Sequence, residues 1–84
     1  MVKKFCVKEI EFHKKKLGER VKMLRESINM SQTELASLCD LEKTSISRIE
    51  NGRTNVTLKT CVILSKALDV KLVDLFHMSE EQGI

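Results

Sequence analysis

The tetrapeptide Ser31-Gln32-Thr33-Glu34 is a helix start written almost in full. A serine hydroxyl accepts from the backbone N–H three residues on, and a glutamate there reaches back to the serine's own N–H, so two orphan amides are satisfied together. The next strong stop is Asn51-Gly52, a pair suited to closing a helix C-terminus. Between them, Leu35, Leu38 and Cys39 hold one helical period and Ile46 and Ile49 another, with Asp40 where the two fall out of phase. Aspartate accepts a positive φ at lower cost than most residues, so the chain is predicted to turn there. The segment 31–52 therefore has room for two short helices, the second from about Glu42 to Glu50, and a tight turn joining them.

The flanks read the same way. Ile10, Leu17, Val21, Leu24 and Ile28 recur at intervals of three, four or seven, which predicts a first helix from about Lys8 to Ile28 that Asn29 ends. Thr57 can cap a fourth helix carrying Leu58, Cys61, Val62, Ser65 and Leu68 on one stripe, closed by Asp69. Val70 to Phe76 reads as a short fifth helix with Leu72, Leu75 and Phe76 inward. The chain has no proline and three glycines in 84 residues, so the expected class is all-α in one domain. Residues 1–13 are expected to be an arm or an extension of the first helix, 14–78 the folded domain, and 79–84 a frayed tail.

Several function classes recede on this reading. The cysteines Cys6, Cys39 and Cys61 are odd in number and lack metal-ligand spacing, and His13 and His77 stand apart from one another, so reduced thiols, a cytoplasmic location and no metal or other cofactor are expected. No nucleophile has a base at motif spacing, and no glycine loop could cradle phosphate, so no enzyme is expected. No apolar run is long enough for a membrane span. The net charge is +3, with nine Lys and Arg against four acids in residues 1–30. A surplus that small is weak evidence for a polyanionic partner.

The outer face of the third helix is more informative. At 100° per residue, Ile46, Ile49 and Glu50 share one side, while Thr44, Ser47, Arg48 and Asn51 share the other, with Lys43 at the N-terminal corner. The major groove of B-DNA, about 12 Å wide, admits one helix with such a face; arginine and lysine donate to guanine O6 and N7, and a threonine methyl packs on a thymine methyl. Lys43, Thr44, Ser47 and Arg48 are the candidate base readers. An ordinary solvated helix face has the same periodicity.

With these motifs in hand, the stretch Leu17 to Phe76 resembles the Cro/cI-type, or XRE, family of helix-turn-helix regulators. The resemblance rests on Leu17-Gly18-Glu19-Arg20-Val21, Leu24-Arg25, Ser31 to Ala36, Thr44 to Gly52, Leu58-Lys59-Thr60, Ala67 to Leu72, and Leu75-Phe76. It implies a five-helix, lambda-repressor-like domain that binds double-stranded DNA through its second and third helices. It further implies that Gln32 holds a backbone phosphate, that Asn51, Arg53 and Thr54 touch the backbone just past the third helix, and that Arg25 and Glu50 form a structural ion pair. The chain departs from the family pattern at Asp40 and Asp69, where glycine is usual, at Glu42 in place of a serine or threonine cap, and at Val56 in place of proline. These departures suggest a strained turn and a weakly capped third helix.

Family members commonly pair on two-fold operators, and Ile63 and Val73, apolar where the family more often has polar residues, suggest with Phe76 a homodimer interface near the last two helices. Filling the core of one chain is the competing role for the same residues. A restriction-modification controller is one alternative within the family, favoured by the loop Asn55-Val56-Thr57-Leu58. An antitoxin that sequesters a toxin protein and autoregulates its operon is another, and RNA polymerase is a further candidate partner.

Overall fold

The structure, a computed structural model, describes residues 6–77, and all its regular elements are helical. Four α-helices run in order: α1 (Val7–Ser27), α2 (Gln32–Cys39), α3 (Lys43–Glu50) and α4 (Leu58–Ala67). The segment expected as a fifth helix is instead a 3-10 turn, Leu72–Phe76. The four-residue bonding of an α-helix has little room to establish itself in so few residues, and Lys71 opens the turn with its N–H on the Asp74 carboxylate at 3.0 Å. The 79–84 tail lies outside the described residues. Residues 7–13 continue α1 toward the N-terminus, with Cys6 extended at its cap position, so the expected arm is helical from Val7 on.

The packing puts α1 across α3 and the 3-10 turn, and α2 against α3 and α4. Every element contributes one large apolar side chain that is fully buried: Val21, Leu35, Ile46, Leu64 and Leu75. Each such burial is worth about 1.5–3 kcal/mol. Arg20 joins the two ends of the domain by donating from Nε to the Asp74 carbonyl at 2.7 Å. Of the expected inward residues, Ile10, Ile28, Leu38, Leu58 and Phe76 are exposed, Leu58 at 67%. In α4 the buried stripe is Cys61, Leu64, Ser65 and Leu68, so Leu64, which the sequence reading left out, stands where Leu58 was expected to anchor the face. Buried Ser65 meets its hydrogen-bonding need by donating to the Val62 carbonyl at 2.7 Å.

All four helices stop by the same device. Asn29, Asp40, Gly52 and Asp69 have φ of 58°, 57°, 69° and 59°. In each case the N–H of the following residue, Met30, Leu41, Arg53 or Val70, turns back to the carbonyl five residues earlier, at 2.8 to 3.1 Å. Such a left-handed residue satisfies carbonyls the helix would otherwise leave open. After α1, α2 and α4 the next side chain is apolar and packs on the core. After α3 it is Arg53, which is exposed.

Candidate nucleic-acid interface

Helix α2 begins as its sequence requires. Ser31 Oγ accepts from the Glu34 N–H at 3.0 Å, and the Ser31 N–H donates to Glu34 Oε1 at 2.8 Å. The box leaves the N–H groups of Gln32 and Thr33 without an acceptor among the described residues. Two free donors at the positive end of a helix dipole favour an anion. Helix α3 begins more weakly: Glu42 occupies the cap position and makes no side-chain cap bond.

Behind this surface lies a buried polar knot. Arg25 grips Glu50 with two bonds, Nε to Oε2 at 2.6 Å and Nη2 to Oε1 at 3.1 Å, and its Nη1 donates to the Met30 carbonyl at 2.7 Å. Side-chain exposure is 8% for Arg25 and 2% for Glu50. The Glu50 bonds raise the Arg25 pKa above its ordinary value against the lowering effect of burial. A raised base is stabilising wherever it stays protonated and its partner stays ionised, so this contribution is present at neutral pH and is lost as the pH rises through strong alkali. Gln32 Nε2 donates to Glu50 Oε1 at 2.9 Å, tying the start of α2 to the end of α3. Gln32, singled out as a phosphate contact, is thus half-buried and already bonded through one end of its amide.

The candidate readers are brought together. Lys43, Thr44 and Arg48 are exposed and Ser47 is half-buried. Thr44, Ser47, Arg48, Asn51 and Arg53 line one shallow concavity. Asn51 is turned back on its own helix, with Nδ2 donating to the Ser47 carbonyl at 2.9 Å and to Ser47 Oγ at 3.3 Å. Thr54 stands apart from that concavity and lines an apolar hollow with Ile10, Leu17, Val56 and Phe76. Of the residues read as a dimer surface, Ile63 packs half-buried against the core, while Val73 and Phe76 are 66% and 46% exposed.

Two glycines set the height of α3 over α1. A Cβ on Gly18 would stand 2.6 Å from the Glu50 carbonyl oxygen, and one on Gly52 would stand 2.8 Å from Lys15 Cα. Only the bare backbone allows α1 to pass this close beneath the end of α3. The Gly18 signal was present in the sequence without its meaning, since periodicity does not report interhelical distance.

Among the described residues no cluster could hold a metal ion, and no helix is long and apolar enough to cross a membrane.

A family model described as helix-turn-helix matches residues 21–75. The chain is 49% identical over 63 residues to the control protein C.BamHI of Bacillus amyloliquefaciens, spanning 74% of this chain and 78% of that one. It is 40% identical over 70 residues to the control protein C.SmaI of Serratia marcescens, spanning 80% and 83% respectively. Among solved structures, the restriction-modification controller protein C.AhdI from Aeromonas hydrophila aligns with a TM-score of 0.72 at 35% identity, over 74% of this chain and 94% of that one.

Proposed function

The chain belongs to the XRE-type helix-turn-helix family, and from that premise we propose that it is a sequence-specific DNA-binding transcription regulator controlling a restriction-modification operon. The observation that carries the DNA reading is the polar outer face of α3, where Thr44, Ser47 and Arg48 share one concavity with Asn51 and Arg53 beside the open amides of α2. Helix α3 enters the major groove, with Lys43, Thr44, Ser47 and Arg48 toward the base edges. Gln32, Asn51, Arg53 and Thr54 hold phosphates on either side and set the register. The specific assignment to a controller rests on the likeness to control proteins over most of their length.

One such module makes few base contacts, so the regulator binds as a homodimer, with two α3 helices about 34–36 Å apart on one face of a two-fold site. Exposed Val73 and Phe76 support an interface on the 3-10 turn. Ile63 contributes at most its exposed edge.

Selection of bound sites from random duplexes, followed by anisotropy at fixed salt, tests the whole reading. The expected outcome is a two-fold sequence with half-sites one helical turn apart, matched upstream of the gene itself. Binding no tighter to any selected sequence than to random DNA would overturn it, and sedimentation as a monomer on the selected duplex would remove the dimer.

A further inference from the structure

The Glu50 carboxylate receives three donors. Arg25 supplies two, one to each oxygen, and Gln32 Nε2 supplies the third, to Oε1. With 2% of the side chain exposed, water cannot easily substitute for any of them. A glutamine amide has a donating face and an accepting face, and an exposed one turns between them freely. Against a carboxylate whose oxygens both accept already, only the NH2 face fits, because the oxygen face would press acceptor on acceptor. The Gln32 amide is therefore held in one orientation. Its nitrogen carries two hydrogens about 120° apart, and the one spent on Glu50 leaves the other directed elsewhere. That second hydrogen belongs to the first residue of α2, where the N–H groups of Gln32 and Thr33 are also without acceptors.

We propose that Glu50 is a positioning residue for the phosphate contact at the start of α2: by holding the Gln32 amide NH2-inward, it leaves the second Gln32 N–H as a third donor beside two open backbone N–H groups. The inference rests on the DNA-binding reading above and extends it, giving a side chain that never reaches DNA a direct part in affinity. The same bond couples the two DNA-facing elements, since Glu50 ends α3 and Gln32 starts α2. Arg25 completes the arrangement from behind by fixing Glu50 and the Met30 carbonyl just upstream of the cap.

The test is a double-mutant cycle on the full chain with its selected duplex. Gln32→Ala should weaken binding about tenfold in the parent protein, the size expected for a hydrogen bond to a charged group. Glu50→Asp keeps a carboxylate for Arg25 but draws it back from Gln32; in that background the same Gln32→Ala change should weaken binding less than twofold. Equal losses in both backgrounds overturn the inference while leaving DNA binding itself intact, whereas absence of any preferred duplex for the parent protein removes the reading beneath it. Should Glu50→Asp fail to fold, the parent protein decides alone by NMR. One Gln32 side-chain NH2 proton should be protected from exchange in the free protein, and the other should shift on addition of the duplex. Two rapidly interchanging protons, neither responding to DNA, would overturn the inference.

Discussion

Gly18 lies beneath the last two carbonyls of α3, so close that a methyl group there would run into Ile49 O and stand 2.6 Å from Glu50 O. Alanine is the better helix former by about 1 kcal/mol, and on propensity alone Gly18→Ala should stabilise α1. Here the clash is with backbone, which cannot swing aside, so packing outweighs propensity. We expect Gly18→Ala to destabilise the domain by about 1–3 kcal/mol in urea unfolding. An unchanged or raised midpoint would show that α1 and α3 have slack between them.

Single replacement at the ion pair should be severe and paired replacement mild. Arg25→Met strands the Glu50 carboxylate in a buried site, at an expected cost of about 3–5 kcal/mol. Arg25→Met with Glu50→Leu removes both charges and should recover most of that loss, although Gln32 then loses its partner. Thermal unfolding of the two variants measures the difference. If the double variant is no more stable than the single one, the pair contributes more than mutual neutralisation.

Asp40 holds a left-handed conformation, φ 57°, where glycine would sit without a Cβ penalty. Asp40→Gly should therefore raise stability by up to about 1 kcal/mol without altering the face of α3. Chemical unfolding and operator affinity, measured together, check both halves of the expectation. A fall in stability would mean that the aspartate side chain makes a contribution larger than the strain it imposes.

Readers and positioners should separate on DNA. Arg48→Ala or Lys43→Ala should relax preference at particular base pairs by about 1–3 kcal/mol, whereas Gln32→Ala and Arg53→Ala should weaken all duplexes alike. Anisotropy against a panel of single-base operator variants at constant salt distinguishes the two. Identical profiles for Arg48→Ala and Gln32→Ala would dissolve the division.

Cysteine chemistry should report on the fold. Burial pushes the Cys39 and Cys61 thiols up, away from the reactive thiolate, while Cys6 is exposed at the start of α1. Mass spectrometry after mild alkylation near pH 8 should find one modified site in the native protein and three in denaturant. Rapid loss of Cys39 or Cys61 under native conditions would reveal opening between α2 and α4.

The parts of this structure visible beforehand are those governed by local chemistry. The Ser31 box, the Thr57 cap, the left-handed turns at Asn29 and Asp40 and the stop at Asp69 each depend on a few neighbouring residues, and the structure has all of them. Periodicity did less well where it ran past the partner surface: Ile10 and Ile28 continue the α1 stripe but extend beyond anything that covers them. The buried stripe of α4 leaves out Leu58 because its neighbours on α2 and the 3-10 turn, not its own sequence, select the buried side. In the candidate interface, the outward face of α3 could be read from angles alone. The second bonds of Gln32 and Asn51 could not, since they join residues whose separation in space no spacing encodes.

The clasp between Arg20 and Asp74 spans 54 positions of sequence, whereas Arg25, Gln32 and Glu50 all lie within the first 50. The two sets of bonds share no residue. Local opening of the 3-10 turn therefore releases the clasp without breaking any bond of the polar knot that joins α1, α2 and α3. The wiring of those three helices and the closure of the core over Leu64 and Leu75 are separate fastenings, and the domain can loosen at one end while the other keeps its internal bonds.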